Sequence, residues 1–442
     1  MASAFDFLIA GDDAPSLIAA AAAARAGAST LIVAPKKNKQ IAPPSFPDIP
    51  NFVWRRLNLQ DHNFSLQPVS ARITLLDDGV SAQSFRTDRE TAETLQYDDP
   101  DAAALLPVFS DEMRALGASA DKINDSNAEG VPAALAVLFD DDGLSDLSDL
   151  SKLSGAANEV LDDYLNGGPV SSHISTHALS LAGLGGEEAG SAQIFPEFFD
   201  DAAWRARTAK GSQPLMKILH KICAESGVVM QEGMVSDISP EGAKANSVSF
   251  GNDEKIRINR IFFASPDSAA EAGYSPGAAR QTAFNGASAT LRLRLRKPIA
   301  APAGDKSAIF QIVDGTCDLR ASRHAALTGK LPEKPPVQFE FVGDNEIVAH
   351  TAYIPNKLCD EEGWRAWTGQ DRQLLMRIMM DRLSSRLDDL GAKVRKQEIV
   401  IQTTREPMRD VYARARNIYM QSKRHNAIAA AVKLVDRALN DG

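Results

Sequence analysis

A short apolar run at residues 5–10 ends at Gly11, and Asp12, Asp13, Ala14, Pro15 and Ser16 follow before a stretch dominated by alanine. A turn of the form Gly-x-Gly-x-x-Gly between a strand and a helix is built to receive a dinucleotide's diphosphate. Its first glycine makes the tight turn, its second admits the phosphates to the backbone, and its third lets the helix close on the strand. Free amides and the positive end of the helix dipole then face the anion. Here the form is Gly11-x-Asp13-x-x-Ser16, and only the first glycine stands. Asp13 brings a Cβ and a carboxylate to the point of closest phosphate approach, and Asp12 adds to the same field. At ~4 Å and an effective dielectric of about 20, each like-charge pair costs about 4 kcal/mol, roughly a thousandfold in affinity. Asp12 or Asp13 also suits the N-cap of a helix that carries Pro15 near its first turn. A capping carboxylate accepts the N–H groups that a diphosphate would otherwise accept, so the turn reads as one that supplies its own anion.

Other reactive residue types carry weaker patterns. His173 and His177 lie four apart, which places them on one face of a helix, but no HExxH glutamate and no third ligand accompany them. They are expected to be surface or core histidines, and no metal is expected. Lys423, Arg424, His425 and Asn426 form a small basic cluster that reads as a solvated turn before the last helix. The cysteines Cys223, Cys317 and Cys359 are far apart and fit neither a disulfide framework nor a zinc motif. Cys223 reads as core packing. No Gly-x-Ser-x-Gly elbow and no P-loop occur. No residue pattern identifies a catalytic side chain.

The elements around the first turn are plain. Residues 5–10 suit a buried parallel strand, residues 16–26 a helix stopped by Gly27, and residues 30–33 a second strand. Strand, turn, helix and strand in this order make the βαβ unit of a dinucleotide fold. Residues 35–50 read as loop. Helical patterns are expected at 88–116, 164–184, 211–226, 371–390 and 427–439. Strands are expected at 228–238, 247–250, 255–258, 260–263, 290–296, 337–354, 398–403 and 417–420. Leu144, Leu147, Leu150 and Leu153 recur every third residue and read as one helix face on a core or partner surface.

The 442 residues carry a formal net charge of −10, with 44% hydrophobic and 24% charged side chains. Such a chain holds two or three domain-sized cores. With no basic run to offset the acidity, a nucleic-acid partner is not expected. The first residues lack the basic region of a signal peptide, and the alanine-rich stretch is too short to span a bilayer. A cytoplasmic protein is expected, at most peripheral to a membrane, with no transmembrane segment.

The opening FDFLIAGDDAPSLIAAAAAARAGASTLIVAPKK resembles the N-terminus of phytoene-desaturase-like FAD-dependent oxidoreductases. QYDDPDAAALLPVFSDEMRALG, LDDYLNGGPVSSHISTHALSLAGLGG, GSQPLMKILHKICAESGVVMQEGMVSDI, NRIFFASPDSAAEAG, ATLRLRLRKPI and NIYMQSKRHNAIAAAVKLVDRAL resemble later segments of that family in the same order. The resemblance implies an α/β fold: a Rossmann-like nucleotide-binding domain at residues 1–70, 205–275 and 400–442, interleaved with a mixed α+β substrate-type domain at 71–204 and 276–399. It implies FAD lying between the two, with isoprenoid or other lipid-like substrates. It maps the family's cofactor site onto Gly11, Asp12, Asp13, Ala14, Ser16, Ala34, Val235 and Ser422. Ala34 stands where the family has an acid for the adenosine ribose. Residues 35–50 lack the family's glycine pair, and Lys210, Gly211, Ser212 and Gln213 lack most of a glycine-rich turn. Ser422 and Lys423 stand where the family has Gly-Asp, while Val235 keeps the type of the adenine-contacting residue. From these departures no cofactor is expected, and the chain reads as a pseudoenzyme: a non-catalytic binding or assembly subunit. Its expected partner is a protein, either a related flavoenzyme or a second copy of the chain, with a lipid-like ligand also compatible. The alternative is an active FAD-dependent desaturase or dehydrogenase with atypical FAD contacts.

Overall fold

The computed structural model describes residues 4–34, 44–62, 65–76, 81–96, 98–125, 152–208, 210–233, 235–241, 244–250, 255–264, 286–313, 316–403, 418–420 and 427–440. The chain divides into two compact units, Met1–Pro68 with Arg205–Gln281 and Thr404–Gly442, and Val69–Trp204 with Thr282–Thr403.

The first unit is built on the strand Ala4–Ala10. Phe7, Leu8 and Ile9 are all buried, as a continuous apolar run requires when both faces of a sheet are covered. The strand pairs in parallel with Thr30–Ala34 on one edge and with Lys255–Phe263 on the other. The seven-stranded sheet runs Val229–Glu232, Thr30–Ala34, Ala4–Ala10, Lys255–Phe263, Lys244–Phe250, Val235–Glu241, and Ile418–Met420 adds in parallel to Lys255–Phe263. The two strands on either side of Ala4–Ala10 lie in different parts of the chain. Its carboxyl end is therefore a topological switch point, where open α/β sheets bind ligands.

The side chains of the sheet sort by alternation. Phe7, Ile9, Ile32 and Phe262 face the helix Ala14–Arg25 and share its core with Leu215, Leu219, Ile428, Val432 and Val435. Leu8, Ala10, Leu31, Val33, Ile261 and Phe263 form the opposite core. The helix has no solvent stripe over most of its length: Ser16 to Ala23 are buried, and small alanine side chains let it lie close to the sheet. Gly27, at φ +91°, follows it and turns the chain toward the second strand.

Sequence pattern and structure differ in several strands: the runs at 228–238 and 337–354 each divide into two, Val229–Glu232 with Val235–Glu241 and Val337–Val342 with Glu346–Ile354. The pattern divides residues 255–263 at Asn259, but the structure runs one nine-residue strand, Lys255–Phe263. Pairing with Ala4–Ala10 from Arg257 to Phe263 carries the chain through that position, and Asn259 donates its side-chain amide to Asp6 at 3.1 Å.

The second unit holds another seven-stranded sheet, in the order Val394–Thr403, Ala287–Leu295, Glu346–Ile354, Val337–Val342, Ile309–Ile312, Arg72–Leu75, Ser81–Ser84. One face is apolar: Phe310 stacks on Phe339 at 5.0 Å, and Leu375, Met379 and Leu383 of the helix Gly369–Ser384 belong to the same core. The other face carries polar residues under the helix Gly168–Ala182. Thr74 and Gln311 are paired across neighbouring strands. Thr74 shares a 2.8 Å hydrogen bond with His173 Nδ1, and Gln311 donates to Thr176 O at 3.2 Å and Ser180 Oγ at 2.6 Å. The helical pattern at 164–184 is two helices, Ala157–Leu165 and Gly168–Ala182. Asn166 at φ +53° and Gly167 at φ +76° break it. Of the leucine stripe, Leu153 is buried, and residues 144–151 lie outside the described residues.

Burial holds His173 far below its ordinary range, at about 3, with the Arg72 charge adding to the effect. The unfolded chain takes up this proton near pH ~6.5 while the folded chain refuses it. Stability is therefore expected to fall as pH drops through this window, by on the order of 1 kcal/mol per pH unit from this residue. Urea midpoints between pH ~6.5 and ~5, where carboxylates titrate little, should slope less in His173→Gln than in the parent chain. Equal slopes would contradict the assignment.

Candidate functional site

The first turn is closed by backbone. Gly11 takes φ +102°, a conformation that side chains disfavour, and donates its amide to Val33 O at 2.8 Å. This bond ties the end of the first strand to the end of the second and brings the next residues over the switch point. Of the two aspartates, Asp13 is the cap: its backbone is extended at φ −71°, ψ 170°, and its Oδ1 accepts the Ser16 amide at 2.9 Å. Its carbonyl accepts the Leu17 amide at 3.0 Å. Pro15 has no amide hydrogen. The donors of the first turn at positions 15, 16 and 17 are thus missing or used within the chain. Asp12 is half-buried beside the cap.

Ser16 is the third departure from the glycine pattern, and the fold absorbs it. The residue is fully buried, and its hydroxyl donates to Ala10 O at 3.2 Å. The side chain thereby links helix to strand at the close approach that a third glycine would serve. Ala14, the first residue of the helix, packs against the helix-facing core.

Ala34 ends the second strand, where its carbonyl accepts the Gly233 amide at 2.8 Å. It presents no polar side chain to the site. Val235 is buried with Leu8, Ala10, Leu31 and Val33 on the far face of the same sheet. The structure therefore brings Gly11, Asp12, Asp13, Ala14, Ser16 and Ala34 together at one end of the sheet, with Val235 packed beneath. Ser422, Lys423, Arg424 and His425 lie outside the described residues. At the other turn singled out in the sequence, Gly211 at φ +75° precedes the helix Gln213–Glu225, and its carbonyl accepts from Thr208 Oγ1.

The remaining candidates are core groups. Cys223 donates its thiol to Leu17 O at 3.3 Å, and burial pushes that thiol up to about 12, which removes any thiolate at neutral pH. His173 and His177 are buried in the second unit with ring centres 4.8 Å apart. Among the described residues, no group of three His, Cys, Asp or Glu is placed to hold a metal ion. Among them, too, no helix is long and apolar enough to cross a membrane.

No protein-family model matches the chain, and no curated protein matches it in sequence. Solved structures do match it in fold. A triple mutant of putrescine oxidase, from a structure-based redesign of cofactor binding, has a TM-score of 0.57 at 13% identity, covering 99% of this chain and 98% of that one. Cyclohexylamine oxidase from Brevibacterium oxydans IH-35A has a TM-score of 0.53 at 15% identity, covering 99% of both chains. An oxidoreductase from Methanosarcina mazei has a TM-score of 0.54 at 10% identity, covering 98% of this chain and 99% of that one. The fold is that of FAD-dependent oxidoreductases.

This likeness corrects the expectation that the chain carries no cofactor: the shared fold points to FAD. The physical reason lies in the turn. The expectation rests on side chains, whereas the turn after the first strand is set by backbone, through the Gly11 conformation and its bond to Val33. Ser16 is accommodated. Asp12 and Asp13 are the carboxylates at the turn that oppose a diphosphate, and Asp13 accepts the Ser16 amide at the helix end.

The cap itself is testable. Asp13→Ala should lower stability by about 1 kcal/mol, and Asp13→Asn should retain most of it, both read from urea unfolding without ligand. An Asp13→Ala protein as stable as the parent would show that the cap contributes nothing.

Proposed function

We propose that the chain is an FAD-dependent oxidoreductase in which the Asp13 carboxylate and the cofactor's diphosphate compete for the first turn of the helix Ala14–Arg25. The observation that carries this reading is the 2.9 Å bond from the Ser16 amide to Asp13 Oδ1, made at the switch point of a sheet whose fold points to FAD.

Magnitudes decide how the competition resolves. A carboxylate left facing a phosphate at ~4 Å costs about 4 kcal/mol. Giving up the cap costs about 1 kcal/mol, only about fivefold in affinity. The lower-energy route is for Asp13 to release the Ser16 amide and turn toward solvent. Gly11 then keeps the strand end in place through Val33, and Ser16 keeps the helix on the strand through Ala10. Neither contact involves the groups that must move. Bound FAD supplies a two-electron acceptor for an organic substrate.

FAD titrations followed by flavin fluorescence test this reading. The parent chain should bind FAD, and Asp13→Gly, which has no side-chain cap to give up, should bind about fivefold more tightly, with Asp13→Asn between the two. Failure of all three proteins to bind FAD would overturn the proposal. With FAD bound, anaerobic bleaching by a panel of primary amines and isoprenoid hydrocarbons reads catalysis. A flavin that none of them reduces would favour the non-catalytic subunit.

A further inference from the structure

We infer that Glu232 is the acid that receives the ribose hydroxyls of the adenosine half of the cofactor, in place of the side chain that Ala34 lacks. This rests on the FAD reading above. A ribose diol offers two O–H donors, and dinucleotide folds meet them with a carboxylate at the strand ends beside the glycine turn. The second strand ends in Ala34 and supplies none.

The strand next to it does. Val229–Glu232 pairs in parallel with Thr30–Ala34, in the register Leu31 with Val229, Ile32 with Met230, Val33 with Gln231 and Ala34 with Glu232. Residues paired in this way point to the same face of a sheet, with strands about 5 Å apart. Ala34 packs against the core that contains Ile32 and Leu17, which is the face of the first helix. Glu232 therefore projects on the face that also carries the capped helix end. It is the last residue of its strand and is exposed, and the Gly233 amide bound to Ala34 O at 2.8 Å fixes the backbone just beyond it. A glutamate side chain is long enough to cross one strand spacing.

The strand order also separates the two acids. Asp13 follows the strand Ala4–Ala10, and Thr30–Ala34 lies between that strand and Val229–Glu232. Two strand spacings, about 10 Å, thus stand between the diphosphate end and Glu232. A charge at Glu232 meets neutral hydroxyls and stays about a Debye length from the phosphates.

Dissociation constants for FAD and for FMN, which lacks the adenosine half, test the assignment in the full-length chain. Glu232→Ala should weaken FAD about tenfold, the size of a lost charge-assisted hydrogen bond, and leave FMN unchanged. Ala34→Glu in the Glu232→Ala background should restore FAD binding. Unchanged FAD affinity in Glu232→Ala, or an equal loss for FMN, would overturn this inference while the FAD reading stands. Failure of the parent chain, Asp13→Asn and Asp13→Gly alike to bind FAD would overturn both.

Discussion

The strand Ala4–Ala10 is hydrogen-bonded on both edges, to Thr30–Ala34 and to Lys255–Phe263, and the candidate site exists because of that pairing. A strand with two parallel neighbours has both edges used, and from Phe7 to Ala10 both faces are covered, so those residues are apolar and buried. Chemistry is confined to its end. There the chain leaves the sheet through Gly11, whose positive φ allows the amide to return to Val33 while the next residues start a helix. The helix can lie close to the sheet because alanine fills its buried length. Ser16, the one polar side chain at that approach, is satisfied by the strand's last carbonyl.

Within this frame, Asp13 is placed by local physics. A helix start leaves amides unpartnered, and a carboxylate one residue before it satisfies one of them. The same amides attract an external anion. Cap and ligand therefore draw on one resource. In the proposed competition, the energy of the cap bond is set against the larger repulsion between like charges. A motif that reads as lost from its side chains still has, in backbone terms, the Gly11 turn and a helix start occupied by Asp13.

Sequence alone made much of this legible, and the gaps have identifiable causes. The runs at residues 5–10 and 30–33 are too apolar to be anything but buried strands, and the structure has Ala4–Ala10 and Thr30–Ala34. The alanine run and Gly27 mark the helix between them. Sequence did not choose between Asp12 and Asp13, because capping depends on backbone angles, and only Asp13 has an extended backbone with its carboxylate on the Ser16 amide. Asn259 reads as a turn residue by composition, yet a parallel pairing with a strand at the far end of the chain holds it extended. Asn166 and Gly167 break the expected helix through positive φ, a break that the helical pattern on both sides hides. Glu232 carried no signal at all: its relevance follows from a strand register with Ala34 that no local pattern encodes. The expectation of no cofactor failed for a related reason, since it counted side chains at a site whose scaffold is main chain.

The buried helix Ala14–Arg25 also has a history imposed on it by synthesis. Part of its cover comes from Ile428, Val432 and Val435 of the helix Ala427–Asn440, which is made long after it. Until that later helix has left the ribosome, a helix buried from Ser16 to Ala23 lacks part of its native packing. The first unit is therefore completed late and by distant contacts, a pattern that slows folding and exposes the nascent chain to aggregation. The alanine-rich face that allows the helix to press so closely on the sheet is also apolar surface left uncovered while the rest of the chain is made.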